Sequence, residues 1–271
     1  MIRVVMLSGG LSSWVAARRV KEKMRDRDTL VLLFADTLIE DADLYRFLDD
    51  VARDIGVPIT RIADGRTPWE VFRDKRFLGN SRVDPCSKVL KRDLIRRWLT
   101  NNCDPAQTIV YTGIGWWEEQ RQSRLVERNV ELGWRYEAPL CEPPFITHPM
   151  MIEMAQEAGI EVPRLYKLGF KHNNCGGGCV KAGIGQFAHL YRTLPHVFDE
   201  WEREEIRLRV MLGKNVSILT DRRNGERKPL PLYQLRKRLE GQAEPLDACE
   251  VNDVRGCGCA VDDEEMETTN V

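Results

Sequence analysis

Two groups of residues in this chain could do chemistry: a turn rich in serine and glycine near its start, and cysteines set beside glycines. The turn is Ser8-Gly9-Gly10-Leu11-Ser12-Ser13. An apolar run from Ile2 to Leu7 precedes it and reads as a short buried strand. Ala16, Val20 and Met24 then share one helical stripe, with Ala17 beside it. A strand, a glycine turn and a helix hold phosphates well. Glycines let backbone N–H groups approach an anion, and the helix N-terminus adds a partial positive charge. An ordinary strand–helix turn with nothing bound is the competing reading. The hydroxyls of Ser8, Ser12 and Ser13 favour phosphate.

Cys175-Gly-Gly-Gly-Cys179 makes a flexible loop able to fold around a metal, with free N–H groups that can point at sulfur. Its spacing suits zinc and an iron–sulfur cluster alike. Cys257 and Cys259, in Arg255-Gly-Cys-Gly-Cys, form a second pair. Cys86 falls in the first turn of an expected helix, after Asp84 as N-cap and Pro85 at the first position. Leu90, Leu94 and Trp98 mark that helix's buried face, and Lys88, Lys91, Arg92, Arg96 and Arg97 crowd the rest. A first-turn thiol among cations should deprotonate readily, which suits a ligand or a nucleophile. Inert thiols are the alternative, but glycine-flanked cysteines gain nothing from packing. Cys103, Cys141 and Cys249 have no such context, and Cys103 reads as a helix-end residue.

The elements that must position these groups follow from periodicity. Thr29 to Ala35 is a second buried strand ending at Asp36-Thr37, the edge where open α/β sheets place ligands. Leu44, Phe47, Leu48, Val51 and Ile55 give a helix over 41–55 that Gly56 stops, and Pro58 to Ala63 alternates like a third strand. The order βαβαβ predicts an α/β fold: a doubly wound, mostly parallel, Rossmann-like sheet with helices on both faces. Thr67-Pro68 starts a short helix. Thr108 to Ile114 is a fourth strand running into Gly115-Trp116-Trp117-Glu118-Glu119-Gln120-Arg121. Glu118, Arg121 and Arg124 share a helix face there, either as surface ion pairs or with an arginine poised for phosphate. Residues 137–149 are rich in proline and read as a linker or lid, followed by a helix to Ala158.

The expected organisation is a nucleotide-binding domain over 1–163, a smaller Cys-rich and mainly helical part over 164–260, and a disordered acidic tail over 261–271. In the second part Pro195 to Leu212 reads as a helix with Phe198, Trp201, Ile206 and Val210 as core. Val216 to Thr220 reads as a strand and Leu232 to Leu239 as a short basic helix. With 271 residues, 31% of them charged, and a formal net charge of −1, nothing global demands nucleic acid or a membrane. Neither a signal peptide nor a membrane span is expected, so the default location is the cytoplasm. The 8 cysteines then point to metal, cluster or redox chemistry rather than disulfides. The oligomeric state is not legible.

No Walker lysine follows the glycines. The turn instead resembles the PP-loop signature S-G-G-x-D-S of ATP pyrophosphatases and the related PAPS (3′-phosphoadenylyl sulfate) reductases, with Ser12 at the aspartate. That resemblance implies an adenine nucleotide, ATP or else APS (adenylyl sulfate) or PAPS, with or without magnesium. It would be held by Ser8, Gly9, Gly10, Ser12 and Ser13, with Asp36 and Thr37 lining the adenosine site. PAPS-reductase-like proteins carry a similar Gly…Glu-x-x-Arg stretch, which gives Gly115 a nucleotide-binding role and Glu118 and Arg121 catalytic ones. Cys86 and Lys91, followed by paired cysteines, are similar to the APS reductase arrangement around a four-iron cluster, here with a single first cysteine and a later spacing longer by one. The resemblance implies Cys86, Cys175 and Cys179 as ligands of an iron–sulfur cluster, with Cys257, Cys259 or an exogenous sulfide as the fourth; zinc is the alternative metal. The stretch from Gly169 to Gly183 looks like phage-encoded members, and the likeness spans Ile2 to Arg209.

Three functions follow as expectations. The first is a PP-loop enzyme that adenylylates an acceptor for sulfur transfer, with Lys91 and Arg121 neutralising the leaving group. Its acceptor could be a nucleic acid or nucleoside, tracked by the helix from Lys88 to Arg97. The second is an APS or PAPS reductase with Cys257 or Cys259 as nucleophile. The third is a non-catalytic nucleotide-binding protein with structural zinc.

Overall fold

The computed structural model describes residues 1–253, so Cys257, Cys259 and the expected acidic tail lie outside the described residues. In chain order the first elements are β1 (Ile2–Leu7), α1 (Leu11–Glu22), β2 (Thr29–Asp36), α2 (Ala42–Ile55), β3 (Ile59–Ala63) and α3 (Pro68–Lys75). A continuous helical rod follows: α4 (Pro85–Ser87), a π-helical stretch (Lys88–Asp93) and α5 (Leu94–Asn102). Then come β4 (Thr108–Tyr111), α6 (Glu119–Val130), β5 (Arg135–Glu137), α7 (His148–Glu157) and α8 (Arg164–Lys167). The remainder is α9 (Ile184–Thr193), α10 (Pro195–Leu212), β6 (Leu219–Asp221), β7 (Lys228–Leu230), α11 (Leu232–Leu239) and α12 (Ala248–Asn252).

Five strands form one parallel sheet in the order β3-β2-β1-β4-β5. In register, Val4 lies beside Val31 on one side and Val110 on the other. Successive side chains of each strand serve opposite faces. Val5, Leu7, Leu32, Phe34 and Ile109 pack against α1, α2 and α7. Val4, Met6, Leu33, Ala35 and Val110 pack against Leu94, Ile95 and Leu99 of α5. Because both faces are covered, β1 and β2 read as continuous apolar runs rather than alternating ones. The doubly wound expectation therefore holds.

Local signals account for several boundaries. Asp41 caps α2, accepting from the Asp43 N–H at 2.9 Å, and Gly56 ends it in the left-handed conformation. Thr67 and Glu70 form a capping box at α3. Asp84 departs from expectation. It stands at the N-cap of α4, but its carboxylate makes no capping bond and faces Arg92 and Lys181 instead, at 3.9 and 4.0 Å.

The Cys-rich part has its own apolar core, with Phe187, Phe198, Trp201, Leu208 and Leu235 in it. Trp69, Phe72 and Leu78 of the α3 region belong to the same core. On α10 the expected core residues are only half right. Phe198 and Trp201 are buried, but Ile206 and Val210 are exposed, and Glu205 and Leu208 face inward in their place. The antiparallel pair β6-β7 stands apart from the main sheet. Among the described residues no helix is long and apolar enough to cross a membrane.

Candidate nucleotide pocket and cysteine centre

A pocket opens at the carboxyl ends of β1 and β4, the central neighbours in the sheet. Ser8, Gly10, Ser12 and Ser13 form one wall, and Thr112, Gly113 and Ile114 the opposite one. Glu118 and Arg121 close one side, Lys91 another, and Tyr166, His172, Asn173 and Asn174 come from the Cys-rich part. The turn is held open from within. Gly9 has a φ of +78°, and a Cβ there would lie 2.6 Å from Leu44. The Ser13 hydroxyl donates to the Gly10 carbonyl at 2.8 Å and accepts from the Ser8 N–H at 3.2 Å. No side chain caps α1, so its first N–H groups have no side-chain acceptor. Asn173 donates to the Gly9 carbonyl at 2.7 Å and fastens the Cys-rich part onto the turn.

Gly113 sets how closely the two walls approach. A Cβ on it would lie 2.7 Å from both the Cα and the N of Ser13. Arg121 pairs with Glu118 at 2.8 Å. Burial lowers the pKa of His172; Arg121 and Lys171 push the same way and Glu118 opposes. Its surroundings therefore favour the neutral ring.

Four expected nucleotide residues do not line the pocket: Gly9, whose carbonyl is taken by Asn173, and Asp36, Thr37 and Gly115. The buried Asp36 accepts from the Leu38 N–H at 2.7 Å and the Tyr45 hydroxyl at 3.0 Å, and also pairs with Arg61. Thr37 turns away to bond Glu40 at 2.8 Å. Gly115 packs against the Trp117 ring and does not line the pocket.

Beyond Lys91 the chain gathers its thiols. Cys86, Cys175 and Cys179 line one narrow cavity with Thr37, Pro68, Trp201 and Lys91. Lys91 thus borders both the nucleotide pocket and the thiol cavity. Glu40, which the sequence did not single out, ties the two together. Its carboxylate lies 3.6 Å from the Lys91 Nζ and accepts from the Cys175 backbone N–H and the Thr37 hydroxyl. Burial lowers the pKa of Lys91, but Glu40 and the three thiols outweigh it, so Lys91 stays charged.

The π-helical stretch explains how Lys91 gets there. Residues five apart on an α-helix point about 140° from one another. A π turn rotates less per residue, which narrows that angle. Cys86 and Lys91 are five apart, and the wide turn over Lys88–Asp93 aims both at one cavity. The cationic face expected here is accordingly broken up: Lys91 is buried, Arg92 has 8% of its side chain exposed beside Asp84, and Arg96 sits 3.9 Å from Asp93.

The thiol chemistry differs from the expectation for Cys86. Burial, then the neighbouring Cys179 and Asp84, push its pKa up to about 12, against a weaker pull from Lys91. The cations that the sequence places around it are mostly turned elsewhere. The two neighbouring thiols of the loop are shifted in opposite directions, Cys175 up and Cys179 down, so any thiolate falls on Cys179. The Lys181 N–H and the Lys91 charge favour thiolate on Cys179 as well. The loop is tightly wound: Cys175, Gly176 and Gly177 have φ values of +49°, +62° and +92°.

Among the described residues no three His, Cys, Asp or Glu side chains close around a single metal ion. Cys86, Cys175 and Cys179 are soft donors on one cavity, and such donors suit zinc and an iron–sulfur cluster alike.

No protein-family model matches the chain, and no curated protein matches it by sequence. Among solved structures it is similar to the phosphoadenylyl-sulfate (PAPS) reductase from Candida auris in its phosphate complex, at 17% identity and a TM-score of 0.46 over 64% of this chain and 80% of that one. It is also similar to the U34-tRNA thiolase NcsA from Methanococcus maripaludis with its [4Fe-4S] cluster, at 16% identity and a TM-score of 0.43 over 93% of this chain and 80% of that one.

Proposed function

We propose that this protein is a PAPS-reductase-like PP-loop enzyme that uses ATP to activate an acceptor and then transfers sulfur to it. One observation carries the reading: Lys91 borders both the serine–glycine pocket and the three-thiol cavity, so a phosphate site and a sulfur site share a wall. The acceptor oxygen would attack the α-phosphorus of ATP, the bond to the pyrophosphate oxygen would break, and pyrophosphate would leave. A sulfur nucleophile would then attack the acceptor carbon, and AMP would depart with the oxygen.

The chain's own groups divide that work. The Ser8–Ser13 turn binds phosphate through backbone N–H groups and hydroxyls. Arg121 and the buried Lys91 offset charge as it develops on the leaving group, where low dielectric strengthens them. Cys86, Cys175 and Cys179 would hold an iron–sulfur cluster, which when bound supplies an iron site open to exogenous sulfide.

Calorimetry with ATP tests the phosphate half. Gly10→Asp should abolish binding, because it places a carboxylate in the turn beside the Tyr166 hydroxyl, 2.8 Å from where a Cβ would stand. Equal affinity in variant and parent would overturn the assignment. The sulfur half is read after anaerobic purification by iron, sulfide and zinc analysis: Cys86→Ala should lower bound metal, and a full complement would remove Cys86 from the centre.

A further inference from the structure

Beside the pocket the chain exposes large rings where a surface would ordinarily be polar. Trp116 and Trp117 are 42% and 46% exposed, and Phe145 is 53% exposed. Trp116 meets Phe145 with ring centroids 5.6 Å apart and Trp117 at 5.8 Å, so the three form one cluster. The cluster adjoins the site directly, since Ile114 before it and Glu118 and Arg121 after it line the pocket.

The rings are held in place. Trp117 packs against Gly115, where a Cβ would come within 2.5 Å of the indole. Phe145 rides on the proline-rich segment, and Arg19 of α1, 9% exposed, fastens that segment from below. The Arg19 guanidinium donates to the carbonyls of Pro139 at 2.7 Å and Glu142 at 3.0 Å, and to that of Pro144. A nearly buried cation engaged by three backbone carbonyls, together with Leu140 and Ile146 buried in the main core, is a strong constraint on this loop. Rings fixed this way lose little freedom when something stacks on them.

Charge says what that something is. Arg121, Arg124 and Arg128 fall on one face of α6, leading away from the two tryptophans. Lys171 and Arg121 both act on His172 at the pocket. Fixed aromatic rings with a row of arginines alongside suit a strand whose bases stack and whose phosphates run past cations.

We propose that Trp116, Trp117 and Phe145 form a stacking platform for an unpaired base of a single-stranded nucleic acid, with α6 receiving its backbone. The inference rests on the reading of the adjoining pocket as the activation site, and it names the acceptor class: a base presented from a single strand at the mouth of that pocket.

The test is fluorescence anisotropy at low salt with labelled oligonucleotides of about a dozen nucleotides, ribo- and deoxyribo-, single-stranded and as duplex. The full chain should bind single strands more tightly than duplex. Trp116→Ala combined with Phe145→Ala should weaken single-strand binding at least fivefold, since stacking contributes about 1–3 kcal/mol per base, and leave ATP binding by calorimetry unchanged. The ribo and deoxyribo arms tell which strand is preferred. Undiminished binding by the double variant, or equal binding of duplex, overturns the platform, as does a dimer in the parent that the double variant dissolves. Gly10→Asp separates the two readings: if it leaves both ATP and oligonucleotide binding intact, the pocket assignment fails while the platform stands.

Discussion

Gly113 has no room for a side chain, because the methyl of an alanine would sit against the backbone of Ser13 rather than against anything that could rotate away. Gly113→Ala should therefore move the β4 wall off the serine–glycine turn. We expect at least a tenfold loss of ATP affinity by calorimetry with a loss of stability of about 1–3 kcal/mol. Parental affinity in that variant would mean that the wall spacing does not matter. The strand–turn–helix around Ser8 to Ser13 was legible in the sequence because its elements follow one another. Gly113, His172 and Glu40 were not, because each acts on something distant. Asn173 reaches a carbonyl 164 residues away. The reactive thiol expected at Cys86 failed for a related reason, since a run of cations in sequence does not say which of them a thiol meets, or how dry the place is.

Among the elements, α10 shows what periodicity leaves out. An apolar reading puts Ile206 and Val210 inward, whereas the helix turns Glu205 inward, with none of it exposed. Its carboxylate accepts from the Ile218 N–H at 2.9 Å and the Leu232 N–H at 2.6 Å, two backbone donors at the starts of neighbouring elements that nothing apolar could satisfy. Burial raises its pKa from 4.5 to about 7, and the two N–H bonds oppose only in part. Between those values the folded protein binds the proton more tightly than the unfolded chain does. Stability contributed by this group is thus present in full at acid pH and falls as pH rises through about 4.5 to 7. The swing is on the order of 3 kcal/mol. Comparing the melting temperatures of parent and Glu205→Gln from pH 4.5 to 8 isolates it: the difference between them should change across that window and be flat above it. A constant difference would show that Glu205 does not titrate there. The strands and most helices were readable because burial on both faces, or a capped start, leaves its mark in neighbouring residues.

At the level of the whole molecule, the expected boundary near Pro163 does not coincide with a boundary between cores. Trp69 and Phe72, from the first part, pack with Trp201 and Phe198 from the second; the Trp69 and Trp201 ring centroids are 5.0 Å apart. Each such ring contributes about 1.5–3 kcal/mol by burial, so a chain cut at 163 would expose a large apolar area. We expect calorimetric unfolding of the full chain in one transition and an insoluble or unfolded fragment 1–163. Two separated transitions, or a folded fragment, would show that the two parts fold independently.

The wide turn over Lys88–Asp93 also has a genealogical side. A π turn carries one residue more than the α-helical turn it replaces, so it behaves as an insertion that leaves both ends of its helix in place. A descendant or ancestor of this chain with an uninterrupted α-helix between Cys86 and Leu94 would match it only across a gap of one residue. Aligned without that gap, the two sequences would pair Lys91 with a residue facing another direction, and the buried cation between the two sites would look unshared when it had only shifted by one letter.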